Sequence, residues 1–369
     1  MIDCSFISVE EVGRTIADEN PTGIDPRKDV SPSSNYYQLK DKRRSLRDAE
    51  RSALINEEES GPLPSEWGRL AEEIYSAIVS EAKDLEYSAW LIEALCRSSG
   101  FAGLKKSFEC ARVVIENFWE TLYPEPDEDG LETRIAPLIG LNGYDGDGTL
   151  MSPILSIPIL ELSPEQCFAT WHYIRASEQS RKSDEGRAQS GIEVTLESMF
   201  AMVSEAPAEY FGQYLIEVDQ AIAAFSELTS AIDNAMGGTP QPTSAILRAM
   251  EQCRDAVLYI AKDKLSLYET EQQASDDIDP VEEGSGVGES KTPADMQVQN
   301  RHQVIQSLRE AANFFRKTEP HSPISYALEK VVHWSNLELP DLLEELIDDK
   351  SSRSQFYRLT GINESKDEK

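Results

Sequence analysis

The stretch RKTEPHSPISYALEKVVHW, residues 316–334, gathers His321 and His333, Glu319 and Glu329, and the hydroxyls of Thr318, Ser322 and Ser325. Imidazoles beside carboxylates can ligate a metal or move protons, and a serine next to them can act as a nucleophile. The spacing argues against both uses. Pro320 pushes the residue before it out of helical backbone, so a helix carrying Val304, Leu308, Ala311 and Phe315 has to stop there. Ser322 can then cap a second helix, with Pro323 in its first turn and a stripe of Ile324, Ala327, Leu328, Val331 and Trp334. His333 lies ten residues beyond Pro323, about 15 Å along such a helix, whereas zinc takes nitrogen donors at about 2.0–2.1 Å. His321 and His333 therefore share no metal, and His302 sits at the far end of the preceding helix. The stretch reads as a joint between helices with an interface histidine.

Other stretches fail their own chemical tests. In PEPDEDGLETRIA, Glu125, Asp127, Asp129 and Gly130 stand at calcium-loop positions one, three, five and six, but position twelve is Ala136, where a bidentate glutamate is required. GYDGDGTL offers Asp145 and Asp147 before Gly148 and has Ile154 at the same last position. Both read as helix-capping turns. GSGVG at 284–288 has neither a strand before it nor a helix after it, so it does not cradle phosphate. His172 beside Trp171 reads as a packed or surface histidine. No nucleophile elbow, CxxC pair or HExxH helix occurs, and neither cofactor nor metal is expected.

The elements that would position such groups are helices. Trp67, Leu70, Ala71, Ile74 and Ile78 form one stripe; Leu85, Ala89, Ile92 and Cys96 form a second; Leu104, Phe108, Ala111, Ile115, Phe118 and Leu122 form a third. A helix is predicted from Ser163, with Ser163 as cap, Pro164 in the first turn and Gln166 reaching back. Two longer stripes, Phe211 to Ile232 and Ile246 to Ile260, flank GGTPQP at 237–242 and make an αα-hairpin. From about Thr270 to Gln297 periodicity gives way to acids, Gly and Ser, a composition that buries too little apolar surface to fold. The expected architecture is all-α: a helical-bundle N-terminal domain (1–163), an αα-hairpin middle domain (164–270), an acidic flexible linker (271–297) and a small three-helix C-terminal domain (298–369).

Charge narrows the partners. The 67 acids against 35 Lys plus Arg give −32, which repels phosphate backbones and anionic lipid, so neither nucleic acid nor a membrane surface is the expected partner. The five cysteines are odd in number and widely spaced, which points to reduced cytoplasm. No export signal or membrane span is legible, so direct membrane insertion is not expected.

Residues 80–143, with the blocks KDLE, WLIEAL, GFAGL and PEPDEDGLETR, and PTGIDPRKD at 21–29 resemble the ImpA-type N-terminal domain of TssA proteins from bacterial type VI secretion systems. NFFRKTEPHSPISYALEKVVHWSNLELPDLLEELI resembles the C-terminal domain of the shorter TssA class. The resemblance spans about 21–163 and 298–362, while 164–270 agrees in helical character and position. It implies a non-enzymatic, cytoplasmic, ring-like homo-oligomer that organises baseplate, sheath and inner-tube proteins. A monomeric or dimeric adaptor or chaperone for secretion subunits, and a helical metalloenzyme, are the competing readings.

The side chains suit an assembly part. Three short C-terminal helices do not readily enclose Phe314, Phe315, Tyr326, Trp334, Phe356 and Tyr357, so an oligomer interface is expected there, with His321 at its joint. Tyr210, Phe211, Tyr214 and Phe225 in the hairpin offer a dimer face or an internal one. Asp25, Arg27, Asp29, Asp84, Glu86, Glu132 and Arg134 form a conspicuous polar set, either caps and ion pairs or a recognition face.

Overall fold

The computed structural model describes residues 1–180 apart from 56–60, 129, 144–145, 147 and 164–165, then residues 195–266 and Tyr268, and further on Ala312, Arg316 and residues 324–334. They fall into two compact units, Met1–Asp279 and Pro280–Lys369. In the first, α1 (Val9–Val12) and a 3-10 turn (Pro26–Lys28) precede α2 (Asn35–Ile55), α3 (Pro64–Ser80), α4 (Leu85–Phe118), α5 (Leu131–Asn142) and α6 (Met151–Leu155). The hairpin β1 (Pro158–Ser163) and β2 (Gln166–Ala169) leads to α7 (Thr170–Ser180), α8 (Leu196–Glu205), α9 (Ala208–Ala235) and α10 (Ser244–Ile260). The second unit contains α11 (Ile324–Trp334).

The helical stripes legible in the sequence become the core. Trp67, Leu70, Ala71, Ile74 and Ile78 of α3 are buried, on the i, i+3, i+4, i+7 spacing that puts side chains on one face. The second stripe, and the third as far as Phe118, are the two halves of α4, which meet at Gly100 with φ +60°. A side chain there would sit in the left-handed region, which glycine occupies without steric cost. Asp84 starts the element by accepting the amides of Glu86 at 2.7 Å and Tyr87 at 3.2 Å, as a capping carboxylate does.

The helix predicted from Ser163 is not there. Pro158–Ser163 and Gln166–Ala169 pair antiparallel, with Leu160 opposite Phe168, and the helix begins only at Thr170. Ser163 Oγ does accept the amide of Gln166 at 3.1 Å, the bond expected of a cap. The same local bond also serves a turn, and burial of Ile159, Leu160 and Phe168 selects the extended chain. The fold is mostly helical, with this hairpin as the departure from the all-α expectation.

The boundary expected at residue 163 does not separate two cores. The αα-hairpin of α9 and α10 forms as predicted, turning through Gly237 and Gly238, both at positive φ, but α9 lies along α4. Tyr214 meets Phe101 at 5.3 Å and Phe225 meets Phe108 at 4.9 Å between ring centroids. Such aromatic pairs contribute about 0.5–1.5 kcal/mol each beyond their area. Phe211, Tyr214 and Phe225 are therefore inside, and Tyr210 is half-buried against Phe211. The hairpin's aromatic face packs within the chain, against the complementary stripe that α4 presents. Asn142, at the end of α5, completes the union: its Oδ1 accepts the amides of Ala245 at 2.9 Å and Ile246 at 3.0 Å. Thr243, the local cap position of α10, makes no such bond.

Candidate functional site

Three loops converge where the PTGIDPRKD segment meets the start of α4. Lys83 N–H donates to Thr22 O at 2.9 Å, Tyr123 N–H to Lys83 O at 2.9 Å, and Leu85 N–H to Tyr123 O at 2.8 Å. Gly23 is held at φ +73°, and a Cβ on it would lie 1.9 Å from Glu81 O. Only glycine lets the two backbones approach this closely.

On this frame Arg27 is a hub. Its Nη1 donates to Asp84 Oδ2 at 2.6 Å and to Asp25 Oδ1 at 3.3 Å; its Nη2 donates to Glu86 Oε2 at 2.7 Å and to Asp84 Oδ1 at 3.3 Å. Tyr36 Oη donates to the same Glu86 oxygen at 2.8 Å, and the guanidinium lies 5.3 Å from the Tyr36 ring centre. The fork geometry matches a bidentate carboxylate contact. Burial pushes the Asp84 carboxyl up, while Arg27 and the two capped amides pull it back. Burial alone would lower the Arg27 pKa; contact with Asp84 and Glu86 overrides it and raises the value. Asp25, Arg27, Asp84 and Glu86 are thus one network, with Asp29 at its edge accepting the Ser31 amide at 3.0 Å.

The other two members of the polar set lie elsewhere. Arg134 is buried and bonds the Trp119 carbonyl and, at 3.2 Å, the Pro124 carbonyl, with its guanidinium over the Trp119 ring. It neutralises carbonyls at the C-terminal end of α4, where cations are favoured. Glu132 is exposed in the first turn of α5. Tyr36, Glu81 and Tyr87 adjoin the network and escaped the sequence reading; helical spacing does not reveal that the Tyr36 and Tyr87 rings come within 6.1 Å.

Reactive groups are muted. Cys96, Cys110 and Cys253 are pushed up to about 12 by burial, so they are thiols and not thiolates at neutral pH. His172 Nδ1 accepts the Ala169 amide at 3.0 Å, closing the start of α7. Asp127 takes the hydroxyl of Thr133 and its carbonyl accepts the Gly130 amide at 3.0 Å, a turn ahead of α5 in which no side chain caps the helix amides. Among the described residues no group of three or more His, Cys, Asp or Glu side chains could hold a metal, and no helix is long and apolar enough to cross a membrane.

In the second unit Tyr326 is 62% exposed, under the Arg316 guanidinium, which pairs with Glu329 at 2.6 Å. Trp334 is half-buried, and its enclosed indole N–H has no hydrogen-bond partner among the described residues. His333 is exposed. Phe314, Phe315, His321, Phe356 and Tyr357 lie outside the described residues, as does the expected linker at 271–297.

Residues 14–143, which contain the whole Arg27 network, match the family described as ImpA, N-terminal, type VI secretion system. The fold is similar to a solved structure from Burkholderia cenocepacia, the N-terminal domain including the conserved ImpA_N region of the TssA component of the type VI secretion system. The TM-score is 0.56 at 18% identity, over 72% of this chain and 99% of that one. That share is larger than the family match, so the likeness of fold extends past the ImpA N-terminal region. Comparison with curated proteins finds no match.

Proposed function

We propose that this ImpA-containing chain is a structural assembly component of a type VI secretion apparatus, joining copies of itself through its C-terminal part and holding apparatus proteins through its N-terminal unit. The observation that carries the reading is the ImpA N-terminal match over 14–143, placed on a TssA-like fold. The ring-like homo-oligomer and the baseplate, sheath and inner-tube partners are proposals built on that match. Side chains of the second unit support self-association. On α11, Ser325 and Val332 are buried while Tyr326 and Val331 stay exposed, so the helix has apolar side chains on more than its buried side. Aromatic groups of this kind are enriched where subunits meet.

Light scattering on the full chain at micromolar concentration tests the reading. The expected mass is a defined multiple of 41.2 kDa, reduced by Tyr326→Ala combined with Val331→Asp. A monomer at every concentration would leave the adaptor reading in place of the ring.

A further inference from the structure

Next to the Arg27 network, residues 16–36, the end of α3 and Tyr87 line an open cavity of about 490 Å³, within the range of sites that take a ligand. Asp25, Asp29 and Glu81 line it, and no lysine, arginine or histidine is among its described lining residues. Asp25 is shared with Arg27 at 3.3 Å, Asp29 Oδ1 accepts the Ser31 backbone N–H, and Glu81 Oε1 accepts the Asn35 side-chain Nδ2–H at 2.8 Å. The second oxygens of Asp29 and Glu81 are not used in these bonds. Independently, Tyr87 lines the cavity, is fully buried, and its hydroxyl has no partner among the described residues, although buried phenols normally find one. Ile24 in the wall and Val30 beside Asp29 are 69% and 78% exposed.

We infer that this cavity receives a lysine or arginine side chain from a segment of a partner protein. The cation sits between Asp29 and Glu81 and donates to the Tyr87 hydroxyl, its alkyl stem lies against Ile24 and Tyr36, and apolar neighbours in the segment cover Ile24 and Val30. Carboxylates exclude phosphate-bearing partners, and the two exposed aliphatic side chains favour a peptide over a free polyamine. The inference gives the partner-holding role proposed above its contact chemistry and rests on that reading for its setting alone.

The test uses the full-length chain and fluorescein-labelled octapeptides with a central Lys or Arg flanked by Leu and Val, against the same peptides centred on Gln or Glu, read by anisotropy. A charge-assisted hydrogen bond predicts about tenfold tighter binding of the basic peptides than of the Gln peptide. Asp29→Asn with Glu81→Gln should abolish that preference, and Tyr87→Phe should weaken it with an unchanged melting temperature. Glu72→Gln with Glu209→Gln, removing two exposed acids elsewhere, should preserve it, which separates the cavity from the general attraction of a −32 chain. Equal binding of Lys and Gln peptides, or an undiminished preference in the Asp29/Glu81 variant, overturns the inference. Because the peptides are synthetic, that result is independent of whether type VI proteins bind the chain.

Discussion

Lys83 shows how far a residue's role can depart from its type. It is fully buried, donates to the Ile78 carbonyl at 3.0 Å at the end of α3, and stands 5.5 Å from the Phe118 ring centre. Burial lowers its pKa from 10.5 to about 8. Between those values the unfolded chain holds a proton that the folded chain has lost, so stability rises with pH across this window. Urea midpoints measured from pH 7.5 to 10 should therefore climb relative to those of Lys83→Met, a difference that cancels the opposing contribution of the raised Cys96, Cys110 and Cys253 thiols common to both proteins. Tyr36 and Tyr87, both raised by burial, act in the opposite sense only above about pH 10, where an unfolded tyrosine ionises.

Between elements, polar groups lock what apolar stripes bring together. Glu93 of α4 is buried against Arg47 at 3.4 Å, Arg97 at 3.2 Å, and Arg43, two of them from α2. Glu93→Ala removes the carboxylate shared by Arg43, Arg47 and Arg97 and leaves Arg97 with Glu50 alone at 2.7 Å, and the expected loss is about 3–5 kcal/mol in urea unfolding, as for other broken buried pairs. Asn142→Ala removes the two side-chain bonds that cap the first amides of α10 among the described residues. That should cost about 1 kcal/mol, as loss of a helix cap does, with weakened hydrogen-exchange protection confined first to Ser244–Ile260. The cap was illegible in the sequence because Asn142 lies about a hundred residues from the amides it serves, whereas Asp84 caps the residues next to it and stood in the polar set read as caps and ion pairs or as a recognition face.

For the whole molecule, a charge of −32 on each chain opposes the association proposed above, and salt screens it over about 8 Å at 0.15 M and about 3 Å at 1 M. Self-association driven by apolar contact should therefore tighten between low and high salt, a shift that sedimentation velocity can read. Weakening with salt would mean that ion pairs hold the copies together. Trp334→Ala should lower the assembled mass while the circular dichroism melt of the N-terminal unit persists, since the chain divides into two compact units.

The sequence alone determined the helices of α3, α4, α9 and α10, the turn at GGTPQP and the ImpA resemblance, because each rests on residues within a few positions of one another. Tertiary structure decided the rest. It chose a strand over a helix after Ile157, where a serine bond serves either form and burial of Leu160 and Phe168 breaks the tie. It spent the aromatic face of α9 on α4, and it gathered Asp25, Arg27, Asp84 and Glu86 while sending Arg134 to a helix end. Those outcomes depend on which surfaces meet across long separations in the chain, and residue spacing carries no record of that.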